Sequence, residues 1–510
     1  MISPETGIKG ITPIETGGRS PASDIVEWDR PPSQDPDRYR LVSLFAPAPH
    51  LNVEWFLQGS YGQERFYWSE PSSKEEPMTL AGLGIAAEVS IPPVLDSGIG
   101  KPALLTHRFE SIAQEANDLF ERSTLLPAEW VGNYSPVEDL IDHLARPRFF
   151  GGFAFQEDFV PDNTWSVFRP AQFILPHYQF VQLGDRAFLT INALVSGDED
   201  LSSCYRGLSE ALLARMSLIL SPDDGSNSLA DVHYPMTAGQ WAEMIDRATR
   251  SIRTGELDKV VLARVCEVRT EKPIDATATL EYLQQNYGDC YRFIFEPVAH
   301  HAFFGATPEL LARKTGADIT TMALAGSIAR GQCPDEDAAL GRRLLSSVKN
   351  RHEHQLVVDT IKGNLLSSVT DLDIPGDPSL LRLKNIQHLL TPINGRLRDP
   401  ATSVLSLVGQ LHPTPAMGGV PAGVALTRLK EVEPVPRGWY AAPIGWFDAQ
   451  HDGEFAVAIR SAVTQHARAW LYAGAGIVGD SDADQEWNET ALKFRPMLGA
   501  LGIEGNIVWN

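Results

Sequence analysis

The chain is poor in the features that mark secreted, membrane-spanning or nucleic-acid-binding proteins. Only four of its 510 residues are cysteines, Cys204, Cys266, Cys290 and Cys333. They are too scattered for a disulfide framework or a zinc knuckle, which fits a reducing compartment. No uninterrupted apolar run reaches the roughly 18 residues that suggest a membrane-spanning helix, so no span is expected. Basic residues are scarce: 43 Lys and Arg stand against 65 Asp and Glu, for a formal net charge of −22. A surface that negative repels a phosphate backbone and anionic lipid, whereas carboxylates gathered in a cleft would suit a hard cation. The opening stretch MISPETGIKGITPIETGGRSPASDIVEWDR has neither an apolar h-region nor a basic n-region. Its acids Glu5, Glu15, Asp24, Glu27 and Asp29 argue against an organellar leader. The expectation is a soluble cytoplasmic protein without a nucleic-acid or membrane partner.

What is present is ordinary globular material, 43% apolar and 21% charged, enough to bury a large core. Length alone suggests about three domains, though two closely joined halves fit equally well. Residues 1–40, rich in Pro, Gly, Ser and Thr, predict a flexible N-terminal arm. Residues 41–220 predict a strand-rich half, with RYRLVSLFAPAP, EWFLQG, ERFYWSEP, RFFGGFAFQ, TWSVFRPAQFILP, HYQFVQLG and RAFLTINALV as strands and helical spacing over 107–123 and 203–220. A linker is expected over 221–235, opening with SPDDGSNSLADV. The remaining region, 236–505, predicts a helix ending at Gly255, a strand at KVVLARVCEV and a helix over 278–286. Strands at YRFIFEP and HHAFFGA follow, then one long helix over about 335–366. Three consecutive strands are expected at YAAPIGWFD, GEFAVAIRSAVTQ and RAWLYAGAGIV, and a last helix over about 483–500. Strand runs beside helix runs, without strict βαβ alternation, predict an α+β fold of large antiparallel sheets flanked by helices.

Several residues stand out chemically. Lys259 opens an otherwise apolar strand; most such lysines are exposed strand ends, but one held in a desolvated cleft could act as a general base. Glu309, in GATPELL, sits at a strand-to-turn junction, where a carboxyl is ordinarily a surface or capping group. A half-buried one could keep its proton and act as an acid. In TMALAGSIARG, Gly326 and Ser327 are small enough for a ligand to approach backbone. His352-Glu353-His354 suggests a metal cluster at first glance, yet adjacent helical side chains point about 100° apart. Zinc is therefore rejected, and Glu353 alone remains available. Glu486, Glu489 and Lys493 are spaced i, i+3, i+7 and share one helical stripe. That stripe is either a solvated ion-paired face or a carboxylate pair for a hard cation with an ammonium nearby. YAGAGIVGD matches the dinucleotide-binding glycine pattern, but too little chain follows for a βαβ half. Its glycines fit strand backbone pressed against a small ligand.

In order along the chain, KVVLAR, GATPELL, LAGS, RHEHQLV, KNIQHL, HPTPAMGG, RGWYAAPIGW, FAVAIRSA and YAGAGIVGDSDADQEWNETALK together resemble the chorismate-utilising enzyme family. That family comprises isochorismate synthases, salicylate synthases and the large subunits of anthranilate and aminodeoxychorismate synthases. The likeness is strong over about 236–500 and weaker upstream. It implies the chorismate-binding fold of anthranilate synthase component I, chorismate as the small-molecule substrate and Mg2+ as cofactor.

By the resemblance, Lys259 is the base that activates water and Glu309 the acid that protonates the departing ring hydroxyl. Glu353 and Glu489 would be magnesium ligands, with Glu486 helping through water. Tyr440, Arg460, Gly474 and Lys493 would surround the substrate's carboxylates, Gly326 and Ser327 would form a small-residue wall, and His388 of KNIQHL would lie at the site. Ala416 stands where anthranilate and salicylate synthases commonly carry Thr, so the resemblance is nearest to isochorismate synthases, whose nucleophile is water. An isomerase feeding menaquinone, siderophore or salicylate synthesis is expected, with salicylate synthase or an anthranilate or aminodeoxychorismate synthase subunit as alternatives. A monomer or weak homo-oligomer is expected.

Overall fold

Short apolar runs bounded by turn residues set the architecture. Arg148–Phe153 (RFFGGF) and Pro443–Asp448 (PIGWFD) are buried on both faces, which explains their nearly unbroken apolar sequence. The computed structural model describes residues 11–12, 27–28, 39–93, 107–131, 143–217 and 229–503. Most of the expected arm and residues 221–228 of the expected linker lie outside them. Ile11–Thr12 pairs with Glu27–Trp28; the other described strands join one hydrogen-bonded network of 21. Its pairings are antiparallel except where Tyr39–Pro47 runs parallel to Ser123–Pro127. With helices packed against it, the network is the antiparallel α+β fold that the strand pattern predicts.

The strand-rich half and the region after it are woven together. Arg65–Ser69 pairs with Tyr291–Val298, and Arg148–Phe153 pairs with Pro443–Asp448. Within the stretch expected as linker, Leu229–His233 is a strand against Lys259–Thr270. Buried apolar side chains gather in two clusters, one containing Trp68, Phe149 and Trp439, the other Leu44, Phe180 and Phe304.

Two departures from the sequence expectation position the site. The long helix is really two, Pro334–Ser346 and Val348–Leu365. At Ser347 the backbone is extended (φ −70°, ψ 114°), and its Oγ accepts from the Asn350 N–H at 3.3 Å. A serine inside an apparently continuous run thus caps a new helix. The run GEFAVAIRSAVTQ likewise splits into Gly453–Val457 and Ser461–Gln465. The break contains Arg460 in the left-handed region (φ 50°), which is uncommon for a non-glycine residue. The expected strand EWFLQG is instead the helix Val53–Gln58, started by Asn52 Oδ1 accepting from the Trp55 N–H. The strand expected over TWSVFRPAQFILP begins only at Ala171, and the sequence pattern carries no expectation for helices Val404–Leu411 and Ala422–Val432.

Candidate active site

Strand Lys259–Thr270 pairs with Arg468–Ile477 from Val260–Ile477 to Arg269–Arg468. Alternation along these strands puts Lys259, Val261, Gly474 and Gly476 on one face, and all four line one cavity. Lys259 is only 1% exposed, and its Nζ lies 2.9 Å from Glu353 Oε1. A Cβ at Gly476 would sit 2.5 Å from that same oxygen and 3.1 Å from Lys259 Cε. The glycine pattern therefore clears space for an ion pair rather than for a dinucleotide.

The HEH triplet scatters as helical geometry requires. His352 is exposed, Glu353 turns into the cavity, and buried His354 makes a 2.8 Å hydrogen bond with Thr391 Oγ1 through Nε2.

Glu309 lies between strands His301–Thr307 and Leu310–Thr315, with its carbonyl accepting from the Val457 N–H at 3.0 Å. Its carboxyl lines the cavity, is 2% exposed and makes no ion pair among the described residues. Burial pushes its pKa up to about 8, although Lys259, Lys493 and Arg460 oppose the rise. At neutral pH this acid keeps its proton.

Across the cavity, Arg460 Nη2 donates to His388 Nε2 at 3.1 Å. Because that nitrogen accepts, neutral His388 carries its proton on Nδ1 and donates to Ser327 Oγ at 3.0 Å. Burial first, then Arg460 and Lys493, hold His388 well below its ordinary pKa. Gly326, next to Ser327, has φ 78°, and a Cβ there would meet Asn350 Cβ at 3.1 Å. Ala416 and Tyr440 complete this wall, the Tyr440 ring stacked on Tyr472 at 5.1 Å and 21°.

The third group comes from helix Ala483–Ala500, whose side chain cap is Asp482 Oδ1 accepting from the Gln485 N–H. Its stripe turns Glu486, Glu489 and Lys493 into the cavity. Lys493 Nζ lies 2.7 Å from Glu489 Oε1 and donates to the Gly474 carbonyl at 2.8 Å. Glu486 Oε1 is 3.3 Å from Lys349 Nζ. Burial, then the neighbouring Glu489, pushes Glu486 up to about 7. Burial works most strongly against ionised Glu489, but Lys493, Lys349 and Arg460 together outweigh it and hold that carboxyl below its ordinary value.

Glu353, Glu486 and Glu489 thus share a cavity but do not meet at one point. Among the described residues no three His, Cys, Asp or Glu side chains stand close enough to hold a metal ion. The reason is local: each carboxylate is held by its own lysine, Lys259, Lys349 or Lys493. The donor set remains oxygen-only and mutually repulsive, which fits a hard divalent cation.

Every residue to which the family resemblance assigned a role lines this cavity, whereas His352 and His354 do not. Lys349, Asn350 and Tyr472 line it too, and the sequence reading passed over them, while Gly476 belongs to the glycine pattern already read as facing a small ligand. The signals were available: Lys349 and Asn350 precede Glu353 by one helical turn, and Tyr472, Gly474 and Gly476 alternate along one strand.

A buried acid and base facing a ring of carboxylates and cations, on a largely antiparallel α+β scaffold, defines a small-molecule enzyme site for an anionic ligand. A family model described as "Chorismate binding enzyme" matches residues 29–502, and the chain belongs to that family. It is 35% identical to isochorismate synthase MenF of Bacillus subtilis over 91% of this chain and 94% of that protein. It is 38% identical to the salicylate biosynthesis isochorismate synthase of Pseudomonas aeruginosa, over 73% of this chain and 78% of that one. Among solved structures, the menaquinone-specific isochorismate synthase MenF of Escherichia coli aligns with a TM-score of 0.71 at 25% identity. That alignment covers 92% of this chain and 97% of the other. Anthranilate synthase component I of Streptococcus pneumoniae, at 19% identity and a TM-score of 0.63, shares the fold. No helix among the described residues is long and apolar enough to cross a membrane.

Proposed function

We propose that the chain is an isochorismate synthase, an isomerase that converts chorismate to isochorismate. Water adds to the ring, the ring hydroxyl leaves, and the double bonds shift. One observation carries this reading: Lys259 and a protonated Glu309, distant in sequence, line the same buried cavity.

Each residue has a role that its surroundings support. Released from Glu353 and present as the neutral amine, Lys259 takes the proton from the attacking water. Glu309 gives its proton to the departing hydroxyl, which leaves as water, so the ring gains one hydroxyl and loses one. Arg460, oriented by His388, forks onto a substrate carboxylate. Lys493 adds positive charge on the same side, and Tyr440 and the small residues Gly326, Ser327 and Gly474 shape the ring's seat. Magnesium held by Glu353, Glu486 and Glu489 would neutralise the ring carboxylate and favour bond rearrangement. Those three carboxylates would exchange their lysine partners for the cation. Ala416 leaves room for water as the nucleophile, which favours this reaction over salicylate or anthranilate formation. We place the enzyme in the cytoplasm, as a monomer or weak homo-oligomer.

Chromatography of products from chorismate, with and without magnesium and ammonia, tests the reading. Isochorismate alone, formed only with magnesium, is expected. Salicylate accumulating without an added lyase, or anthranilate appearing with ammonia, would overturn it.

A further inference from the structure

Strand Lys259–Thr270 has a second edge, and other strands cover only its ends. Gly419–Val420 pairs with Lys259–Val260 at one end, and Leu229–His233 pairs with Glu267–Thr270 at the other. Between these two ladders the edge backbone needs other partners, because a buried amide or carbonyl left unpaired is costly. The Val261 N–H donates to the Gly418 carbonyl at 3.0 Å. The next two groups go to side chains. The Val261 carbonyl accepts from Arg437 Nη2 at 2.6 Å, and the Ala263 N–H donates to Glu433 Oε1 at 2.9 Å. An ion pair therefore stands where a further strand would continue the sheet.

Arg437 uses its whole fork. Nε donates to Glu433 Oε2 at 2.8 Å, Nη2 also reaches Glu433 Oε1 at 2.6 Å, and Nη1 donates to the Met417 carbonyl at 2.8 Å. The residue is 4% exposed, with its guanidinium 4.3 Å from the centre of the Phe155 ring. Its own carbonyl accepts from the Tyr440 N–H at 2.9 Å. Val261, Met417 and Tyr440 all line the candidate cavity. Arg65 differs: its fork holds Glu296, Asp275 and Thr277, and none of these lines that cavity.

Residues 412–418 form neither helix nor strand. The wall that carries Ala416 is tied to the strand of Lys259 by the Arg437 bridge and the Val261–Gly418 bond. A planar guanidinium can grip two carbonyls and a carboxylate in one fixed geometry, which an ammonium cannot reproduce. A misplacement of about 1 Å between reacting groups can cost on the order of 10²-fold in rate.

We propose that Arg437, oriented by Glu433, is a positioning residue that sets the wall of Ala416 and Met417 at the distance from Lys259 that the attacking water needs. The proposal rests on the reaction proposed above, and the two fail separately. The identity of the wild-type product decides the reaction, whereas the ratio of variant to wild-type chorismate consumption decides the positioning role.

The test is steady-state kinetics of the full chain with chorismate and magnesium, beside equilibrium denaturation. Arg437→Lys keeps a cation opposite Glu433 but loses the fork. It should lower kcat by about tenfold to 10²-fold. KM should stay within about threefold, because Arg460 and Lys493 still bind the carboxylates. Phe180→Leu removes packing in the second apolar cluster, away from the cavity, and should lose stability while keeping the wild-type kcat. Glu433→Gln still accepts from the Ala263 N–H but gives up its ionic hold on Arg437. It should lower kcat in the same direction by about three- to tenfold, and it carries the test if Arg437→Lys does not fold. A kcat within about twofold of the wild type in the folded variant, a rise in KM alone, or an equal loss of kcat in Phe180→Leu would each overturn the proposal.

Discussion

The two halves of this molecule divide their labour unequally. Every residue lining the candidate cavity falls between Lys259 and Lys493, so the strands and helices before residue 218 supply none. Yet that half supports the cavity from behind. Trp165 is fully buried, and its Nε1 donates to Tyr472 Oη at 3.1 Å. Its ring meets Phe303 edge-on at 5.3 Å. It also fills the space beside Gly438 (φ 54°), where a Cβ would come within 2.2 Å of the indole. Tyr472 in turn stacks on Tyr440. Chemistry sits in one half while the other fixes the walls, so the two should fail differently when mutated.

The largest effect is expected on the chemical side. Lys259→Ala should lower kcat by about 10²- to 10⁴-fold, the usual weight of a general base, while substrate still binds. Removing the lysine also strands buried Glu353, so a second variant separates the causes. Lys259→Arg keeps a cation beside Glu353 but cannot give up its proton, and it should lose as much turnover while unfolding at nearly the wild-type denaturant midpoint. Near-normal kcat in Lys259→Arg would remove the base from the scheme.

On the supporting side, Trp165→Ala should cost about 3–5 kcal/mol of stability, as large buried aromatics do. Equilibrium denaturation measures it. If that variant instead keeps its stability and loses turnover as Lys259→Ala does, the division between the halves is wrong.

A smaller, graded effect is expected from Glu309. In the proposed reaction its protonated form is the acid, and burial pushes its pKa up to about 8, so kcat/KM should fall as pH rises through about 8. Stability carries the same sign. Between the ordinary carboxyl value of 4.5 and about 8, the unfolded chain ionises while folded Glu309 stays protonated, so rising pH costs stability across that window. Glu309→Gln, which cannot ionise, should be free of that loss. A variant whose stability falls with pH exactly in step with the wild type would place the burial penalty elsewhere.

How much of this was legible beforehand follows from the range of each interaction. Helix Ala483–Ala500 and its stripe of Glu486, Glu489 and Lys493 were readable because their spacing is local. Lys259 and Glu309 looked unremarkable singly, and only the order of motifs along the chain suggested that they meet. The breaks at Ser347 and Arg460 were invisible to periodicity: a serine or arginine inside an amphipathic or alternating run does not announce an end. Their backbone conformations are set by tertiary pairing. The lysine partners of Glu353 and Glu486 were equally hidden, since Lys259–Glu353 and Lys349–Glu486 join distant elements, whereas Lys493–Glu489 lies within one helix.

The smallest effect concerns which nucleophile the catalytic half admits. Ala416 is 8% exposed and lines the cavity beside Met417. A threonine there adds a methyl and a hydroxyl to a wall that otherwise presents only a methyl. The hydroxyl can hold or compete for the attacking water, while Arg460 and Lys493 go on binding the carboxylates. Ala416→Thr is therefore expected to shift the product distribution, with substrate affinity changed by less than about 1.4 kcal/mol, a tenfold difference in KM. Product chromatography with and without ammonia reads it directly. An unaltered distribution would show that the choice of water is made elsewhere in the cavity, with Asn350 and Tyr472, both close to the ring's seat, as the next positions to exchange.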